Sequence, residues 1–245
     1  MNQDSNERKS LYGHTLSELA EICKEEGLPS FTAKQIADWL YKKEISSIDG
    51  MTNLSLKTRE QLEEKYEIGL SAPVNVQQSK DGTKKYLFVT KTNSFIESAY
   101  IPETERATLC VSTQAGCKMG CLFCMTGKQG FQGNLSTNEI LNQFRSIPEY
   151  RTVSNLVYMG MGEPFDNLVN VLSSLEILTS EWGYAWSPKR ITVSSVGIIP
   201  SMITFLEKSN CHLAISLHNP FDDERRQLMP VQNAYPIQKV IAEIK

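Results

Sequence analysis

Three cysteines in one short loop constrain this chain more than any other feature of its sequence. Cys117, Cys121 and Cys124 follow the spacing C-x3-C-x2-C, and glycines lie among and around them. Thiolates on a tight loop ligate iron–sulfur clusters, so these three can hold three irons of a [4Fe-4S] cluster. The fourth iron then has no protein ligand, and an open metal position is typical of a catalytic site. Such an iron can chelate the amino and carboxylate groups of S-adenosyl-L-methionine (SAM), which predicts radical SAM chemistry.

Simpler interpretations of the triplet fit the sequence less well. A structural zinc site prefers four ligands in paired spacings such as C-x2-C…H-x3-H, and no histidine closely follows this triplet. A disulfide knot is disfavoured because three is an odd number and the chain has the features of a cytosolic protein. Cysteines that only fill a core are not expected three times within eight residues among glycines. A zinc-binding structural module nevertheless stays open as an alternative.

Composition limits the class of protein. The chain has 245 residues, of which 40% are hydrophobic and 22% are charged, so we expect a globular protein of one large or two modest domains. No apolar run approaches the roughly 18 residues that a membrane span needs, and the N-terminus lacks the apolar region of a secretory signal. These features predict a cytoplasmic protein that makes no contact with a membrane. The net charge of −3 argues against nucleic-acid binding by charge alone.

The chain divides into three regions by the period of its apolar residues. Residues 1–73 have helical spacing, and residues 74–102 have the short alternating runs of β-strands. Residues 103–245 alternate strand with helix, which predicts βαβ units and a parallel sheet. The predicted strands of this last region are Thr108–Thr113, Leu156–Met159, Arg190–Ser194 and His212–Leu217. Since sites in parallel α/β folds gather at the carboxyl ends of strands, we expect the motifs that follow these strands to form one site.

The motifs resemble those of the RlmN/Cfr family of radical-SAM adenine methyltransferases. The resemblance runs from the accessory-domain stretch of residues 31–43 through the cysteine loop to three later motifs, which are GMGEP at 160–164, TVSSVG at 192–197 and AISLH at 214–218. It implies an α/β fold with a partial (βα) barrel, of which about four of six units are present, preceded by a small helical domain and short strands. It also implies methylation of adenine C2 in 23S ribosomal RNA; the C8 position is the alternative. We favour C2 because the overall pattern is closer to the housekeeping branch of the family.

The resemblance implies a route in which a cysteine near the family's C-terminus takes a methyl group from one SAM. Reductive cleavage of a second SAM then activates that methyl group for attack on the base. By motif position, Cys110 is the second cysteine that helps to release the product by ending as a disulfide partner, and Glu97 is the proton acceptor. A buried strand cysteine and a solvated strand carboxylate are the simpler interpretations of these two residues.

The same resemblance implies which residues contact SAM. Each follows or ends a predicted strand; these residues are Gly162, Glu163, Ser194, Ser216, Leu217 and His218. A glycine allows close approach of the backbone, and a carboxylate can accept hydrogen bonds from the SAM ammonium group. A plain Gly-Pro turn and a structural histidine are the alternatives for Gly162 and His218.

The resemblance also implies partners. These are ribosomal RNA, in many family members transfer RNA, and an electron donor such as flavodoxin or ferredoxin, with the enzyme itself a monomer. Trp39, Lys42 and Lys43 lie together at the end of a predicted helix, where an aromatic ring and two cations can stack on bases and contact phosphates. A core tryptophan beside two solvated lysines fits that sequence equally well.

The chain departs from the family pattern at its C-terminal end. It stops inside a predicted helix that begins at Ile237, and no cysteine follows Cys211. We therefore expect the 245-residue polypeptide to lack the methyl-carrying cysteine and to be unable to complete methylation, although it can still bind a cluster. A non-catalytic Fe–S or RNA-binding fragment is the corresponding alternative function. We also expect the fourth parallel strand to present an exposed sheet edge.

Overall fold

The computed structural model describes residues 8–244 and divides into two compact units. The first unit comprises Met1–Ser71 and Ser173–Trp186, and the second comprises Ala72–Leu172 and Ser187–Lys245. The first unit is therefore built from two separate stretches of chain, which the periodicity of the sequence does not reveal.

The first unit is mainly helical. Its helix α1 starts with a capping box, in which Thr15 and Glu18 each bond the backbone N–H of the other and so satisfy two free donors of the helix end. Two short parallel strands pair with each other near the beginning and the end of its first stretch of chain. Its elements are β1 Lys9–Ser10, α1 Leu16–Glu25, α2 Thr32–Ala37, a π-helical turn Asp38–Lys42, a 3-10 turn Ile48–Gly50, α3 Leu56–Lys65 and β2 Tyr66–Glu67.

An aromatic cluster joins the two stretches of the first unit. The ring of Tyr41 lies 5.6 Å from that of Tyr12, 5.9 Å from that of Trp182 and 5.7 Å from that of Tyr184, measured between centroids. The hydroxyl groups of Tyr12 and Tyr184 form a hydrogen bond of 2.8 Å. The core of this unit therefore includes residues that are distant in sequence.

The second unit is organised around a seven-stranded mixed sheet, counted over residues 8–244. Its spatial order is β11-β10-β9-β6-β5-β4-β3, in which β6, β9, β10 and β11 are parallel and β3, β4 and β5 are antiparallel to their neighbours. The short strands β7 and β8 pair separately. The strands are β3 Asn75–Gln78, β4 Lys84–Val89, β5 Phe95–Pro102, β6 Ala107–Cys110, β7 Gln114–Ala115, β8 Gly133–Asn134, β9 Asn155–Tyr158, β10 Ile191–Ser195 and β11 His212–Ile215.

The helices of the second unit follow its parallel strands. They are α4 Met125–Lys128, α5 Thr137–Arg145, α6 Leu168–Thr179 (which ends in the first unit), α7 Ile199–Lys208, α8 Asp222–Leu228 and α9 Ile237–Ile244, with 3-10 turns at Tyr150–Thr152, Pro164–Asn167, Pro188–Arg190 and Pro230–Asn233. Leu109, Leu156 and Val193 are fully or almost fully buried on three adjacent parallel strands, and burial alternates along each strand, so one face of the sheet is buried more deeply than the other. Of the helices within residues 8–244, none combines the length and apolar character needed to cross a bilayer.

This architecture confirms the predicted fold class, because four parallel strands alternate with helices. The strands of residues 74–102 are not a separate region in space, since β5 pairs with β6 and so extends the same sheet. The strand β11 is the last in the spatial order of the sheet over the described residues.

Candidate iron–sulfur and SAM site

The cysteine loop follows β6 and β7 and closes on itself through its glycines. Gly116 has a φ of +73°, and a Cβ atom there would lie only 1.7 Å from the carbonyl oxygen of Gly130. The N–H of Cys117 donates to that same carbonyl at 3.3 Å. The N–H of Cys124 donates to the carbonyl of Cys121 at 3.1 Å, which makes a tight turn before α4. The loop therefore holds its three cysteines on a restrained backbone.

A cavity of about 290 Å³ opens at the carboxyl ends of the parallel strands. It brings together the three predicted metal ligands and five of the six predicted SAM contacts. The lining residues are Cys117, Met119, Cys121, Phe123, Cys124, Tyr158, Met159, Gly160, Gly162, Glu163, Pro164, Ser194, Val196, Ser216, His218 and Met229. Residues from four separate strand ends therefore converge on one site, as the parallel topology requires.

The cysteine triplet does not form a single-ion site in the described structure. Within residues 8–244, no group of three or more cysteine, histidine or carboxylate side chains converges closely enough to hold one metal ion. A single ion needs its ligands to point at one centre, whereas each thiolate of a four-iron cluster binds a different iron. The described cysteines are all free thiols, so the triplet is available for metal.

Electrostatics in the cavity favour a cationic guest. Burial raises the pKa of Cys121 to about 11, and the neighbouring thiols of Cys117 and Cys124 add to that rise. Burial likewise raises the pKa of Cys117, with Glu163 and Cys124 acting in the same direction. Negative charge on any of these groups is therefore unfavourable without a nearby positive centre, and an iron core supplies one when thiolates bind it.

Glu163 is almost completely buried at 4% exposure, and its carboxylate holds two strand ends together. One carboxylate oxygen accepts from the N–H of Phe165 and the other from the N–H of Val196, both at 3.0 Å. Burial raises its pKa against these hydrogen bonds. The side chain of Ser195 also bonds to this carboxylate, so three of its roughly four acceptor sites are used and one stays available to a ligand.

At position 162, directly before Glu163, the structure has room only for a glycine. Its φ is +94°, and a Cβ atom there would lie 2.4 Å from the Cβ of Gln114. The side-chain oxygen of Gln114 accepts from the N–H of Glu163 at 2.9 Å, and its amide nitrogen donates to Asn134 and Asp166, both at 2.8 Å. The loop after β9 is thus packed and hydrogen-bonded against the strand β7.

The last two parallel strands contribute a polar edge to the cavity. The hydroxyl groups of Ser194 and Ser216 lie 3.5 Å apart across β10 and β11. His218 has a φ of +53°, and its ring lies 4.2 Å from that of Phe123 in the cysteine loop. Leu217, a predicted SAM contact, is not among the described residues that line the cavity; its carbonyl accepts from Arg225 at 3.2 Å.

Cys110 and Glu97 lie close to the cavity but do not belong to its described lining. Cys110 pairs with Ala99 across β6 and β5, and Glu97 lies two residues before Ala99 on the same strand. Since side chains two residues apart share one face, Cys110 and Glu97 lie on the same side of the sheet. Burial raises the pKa of Cys110, while a hydrogen bond with the backbone of Met159, a cavity residue, acts to lower it.

A second cavity of about 470 Å³ contains Glu97. The two cavities are lined by neighbouring stretches of chain, because Cys124 and Gly160 line the first while their chain neighbours Met125 and Met161 line the second. Glu97 also forms an ion pair of 2.9 Å with Lys85, in which both side chains remain partly exposed. The other lining residues of this cavity are Leu87, Phe95, Thr126, Gln129 and Gln132.

Sequence reasoning missed several residues that shape the site. Arg225 is completely buried although it lies in a run of five charged residues, which is typical of an exposed helix. Gln143 is also completely buried and bonds both the N–H and the carbonyl of Ser112, at 2.8 and 2.9 Å. No pattern in the sequence distinguishes these side chains from solvated ones.

In the first unit, the predicted RNA contacts form a small aromatic and cationic group. The ammonium of Lys43 lies 3.7 Å from the ring centroid of Trp39 and 3.1 Å from a carboxylate oxygen of Asp38. Trp39 is half-buried and donates from its indole N–H to Asn53, whereas Lys42 and Lys43 are exposed. One face of the ring is therefore covered by Lys43.

Two family models match the chain over adjacent stretches. The ribosomal RNA large subunit methyltransferase N-terminal domain matches residues 9–68, and the radical SAM superfamily matches residues 111–245. The second match covers the cysteine loop and every strand end that contributes to the cavity.

Similar proteins agree with this assignment. The probable dual-specificity RNA methyltransferase RlmN of Phocaeicola vulgatus is 60% identical over 234 residues, which cover 96% of this chain and 67% of that protein. The dual-specificity RNA methyltransferase RlmN of Geotalea uraniireducens is 40% identical over 239 residues, covering 98% and 70%. The crystal structure of a radical SAM methyltransferase from Sphaerobacter thermophilus superposes with a TM-score of 0.86 at 38% identity, covering 96% of this chain and 71% of that one. With its cysteine loop and strand-end cavity, the chain therefore belongs to the RlmN family of the radical SAM superfamily.

Proposed function

We propose that this chain is a radical-SAM methyltransferase of RNA whose target is C2 of adenine in 23S ribosomal RNA. One observation carries the proposal: the cysteine triplet and the strand-end residues that suit SAM line the same cavity. When bound there, a [4Fe-4S] cluster and SAM supply reductive cleavage and a methyl group. The relatives' names, which specify RNA methyltransferases, support RNA as the substrate class.

In this proposal Cys117, Cys121 and Cys124 would hold three irons of the cluster, in the same cavity as the predicted SAM contacts. Glu163 and the hydroxyl groups of Ser194 and Ser216 accept hydrogen bonds from the amino and ribose groups of SAM. Gly162 has no side chain, so SAM can approach the backbone closely at this position. His218 stacks on Phe123 and so limits access of water to the cysteine loop.

Cys110 and Glu97 act on the RNA side of the reaction in this proposal. Their positions on one face of the sheet allow both to reach a base that has left its stack. Cys110 is the thiol that helps to release the methylated product, and Glu97 accepts a proton from the base.

We further propose that residues 1–73 form an accessory RNA-binding domain and that residues 103–245 form the radical-SAM core, whose sheet is extended by the strands of residues 74–102. Trp39, Lys42 and Lys43 contribute to RNA binding through stacking and phosphate contacts. Transfer RNA is a second substrate, a flavodoxin or ferredoxin donates the electron, and the protein acts as a cytoplasmic monomer.

Anaerobic reconstitution of the chain with iron and sulfide tests the cofactor assignment. We expect a four-iron cluster by absorption and electron paramagnetic resonance, and release of 5′-deoxyadenosine from SAM after addition of dithionite. Replacing Cys117, Cys121 or Cys124 by Ala should reduce bound iron at least about tenfold, because three thiolates hold the cluster. Cys211→Ala is the matched control and should retain the iron, since Cys211 lies outside the cavity.

Other outcomes would support other functions. Zinc without iron in anaerobically purified protein would favour a zinc-binding structural module. A cluster that never cleaves SAM would favour a non-catalytic Fe–S protein. Methylation at C8 rather than C2 of adenine, read by mass spectrometry of digested RNA, would contradict the proposed regiochemistry.

Binding of a 23S ribosomal RNA fragment tests the accessory domain. Trp39→Ala and the double variant Lys42→Gln with Lys43→Gln should each weaken binding about tenfold, since a stacked base contributes roughly 1–3 kcal/mol. Lys34→Gln, an exposed lysine of the same helical segment, is the control. Equal binding by all variants would remove these residues from the RNA interface.

A further inference from the structure

Arg225 is a buried cation whose hydrogen-bond acceptors are all neutral. It is 0% exposed, and its guanidinium donates to the carbonyls of Leu217 at 3.2 Å, Val196 at 2.9 Å and Ser216 at 3.2 Å. The fourth acceptor is the side-chain amide oxygen of Gln232. A charge taken out of water costs several kcal/mol unless an opposite charge compensates it. A fully buried guanidinium with only neutral acceptors therefore requires an explanation.

Two carboxylates are each linked to the guanidinium of Arg225 through one intervening residue. Asp222 accepts from the side-chain nitrogen of Gln232 at 2.8 Å, so Gln232 separates it from Arg225. Glu163 accepts from the N–H of Val196, whereas Arg225 donates to the carbonyl of Val196. Neither carboxylate is among the direct hydrogen-bond acceptors of Arg225, so its positive charge is only partly compensated by the described residues.

Arg225 lies against the cysteine loop. Its helix α8 ends at Leu228, whose carbonyl accepts from the N–H of Leu122 at 3.0 Å, directly between two of the cysteines. Cys121 packs in one buried cluster with Val196, to which Arg225 is bonded. Burial lowers the pKa of Arg225, and Cys121 opposes this more strongly than Asp222 does. The guanidinium is therefore held beside the cysteine loop by its own helix and by its bond to Val196.

We propose that Arg225 is a positioning residue that provides the buried counter-charge for the three-thiolate cluster and makes its reduction easier. The inference rests on the proposed function, because it needs the cluster. An oxidised four-iron cluster with three thiolate ligands has a net negative charge, and reduction makes that charge more negative. One electron passes from a low-potential reductant to the cluster, while Arg225 gains and loses no proton and no bond. A nearby fixed positive charge stabilises the reduced form more than the oxidised form and so raises the reduction potential.

The same side chain also joins β10 to β11. Its bonds to the carbonyls of Val196 and Ser216 link the ends of two strands that line the cavity. A purely structural clamp would account for these bonds but would not affect the reduction potential through charge. A measurement of the reduction potential therefore distinguishes a counter-charge from a structural clamp.

The test is an anaerobic redox titration of the reconstituted chain, followed by electron paramagnetic resonance. For Arg225→Gln we expect the ratio of reduced to oxidised cluster at a fixed potential to fall about tenfold, a shift of about 59 mV for one electron. Arg225→Lys keeps the charge and should stay within about threefold of the wild type. Arg226→Gln, which removes the next, exposed arginine of the same helix, is the matched control and should leave the potential unchanged.

If Arg225→Gln assembles no cluster, a second variant still tests the proposed effect of Arg225 on the reduction potential. Combining Asp222→Asn with Gln232→Glu keeps the net charge and both shapes but moves a carboxylate into direct contact with Arg225. We expect the same direction of shift as for Arg225→Gln. An unchanged potential in this double variant would overturn the proposal, as would equal shifts in Arg225→Lys and Arg225→Gln. If the wild-type chain itself assembles no iron–sulfur cluster, the proposed function fails, and that result is distinct from a cluster that is insensitive to Arg225.

Discussion

The two halves of the large sheet use polar side chains in different ways. In the antiparallel half, formed by β3, β4 and β5, polar side chains pair with each other near the surface, as in the ion pair between Lys85 and Glu97. In the parallel half, formed by β6, β9, β10 and β11, buried polar side chains bond to the backbone of the loops instead. Gln143, Glu163 and Arg225 each contact main-chain groups at the strand ends.

This difference indicates where the molecule needs positional accuracy. An exposed ion pair contributes little because water and salt screen it. A buried side chain that bonds to the backbone leaves costly unsatisfied groups when it is removed, so it holds its loop in one conformation. The loops of the parallel half carry the candidate site, and the antiparallel half carries Glu97 on an ordinary paired strand.

Gly162→Ala should have the largest effect on stability. The new Cβ atom would meet Gln114 at 2.4 Å, and the positive φ adds strain, so we expect a loss of about 3 kcal/mol in the free energy of unfolding. Gly133→Ala is the control, because its Cβ atom would meet nothing within 4 Å. Urea denaturation followed by circular dichroism measures both. A loss below about 1 kcal/mol for Gly162→Ala would mean that the site loops are not tightly held.

Gln143→Met should have the second-largest effect on stability. The change keeps the side-chain length but leaves the N–H and carbonyl of buried Ser112 without their partners, at a cost of about 2 kcal/mol. The same denaturation experiment measures the loss. Gln132→Met is the control, since Gln132 is exposed. If the two variants lose equal stability, the contrast between the buried and the exposed polar side chains is wrong.

Glu149→Gln should have a smaller effect that depends on pH. Burial raises the pKa of Glu149, but hydrogen bonds from Lys84 and Tyr86 outweigh burial and hold it below its ordinary value of 4.5. A carboxyl whose pKa is lowered in the folded state stabilises the fold above its unfolded pKa and loses that contribution as pH falls through the folded pKa. We expect the wild type to be more stable than the variant by about 1.5 kcal/mol at pH 7. The gap should narrow steadily below pH 4.5; a gap that widens in acid would contradict this assignment.

Lys85→Met should have the smallest effect. Both members of its ion pair with Glu97 are nearly half exposed, at 46% and 44%, so we expect a change within about 0.5 kcal/mol. A loss above about 1.5 kcal/mol in urea denaturation would show that the antiparallel half depends on its ion pairs as the parallel half depends on its buried polar groups.

Local patterns predict much of this fold. The parallel strands are short apolar runs bounded by turn residues, and the structure contains strands at all four predicted places, from Ala107–Cys110 to His212–Ile215. The cysteine spacing and the parallel topology together also predict that the strand-end motifs meet, since carboxyl ends of parallel strands share one edge. The family motifs then supply the identity of the site.

Long-range partners account for what the sequence does not reveal. Arg225 has neighbours on both sides that are charged, and only the positions of Val196 and Ser216 in space explain its burial. The pairing of β5 with β6 depends on register, which a run of alternating residues does not specify by itself. The contribution of Ser173–Trp186 to the first unit is likewise a tertiary property.

The aromatic cluster of the first unit has a consequence for the order in which this chain can fold during synthesis. Tyr12 and Tyr184 are separated by 172 positions, yet their hydroxyl groups bond to each other, and Tyr41 packs against Trp182. Domains generally fold from the N-terminus as the ribosome extends the chain. In this chain the N-terminal segment leaves the ribosome first, but its core is complete only after Trp182 and Tyr184 have been synthesised. A nascent chain that ends before Trp182 should therefore keep these tyrosines accessible to chaperones and proteases.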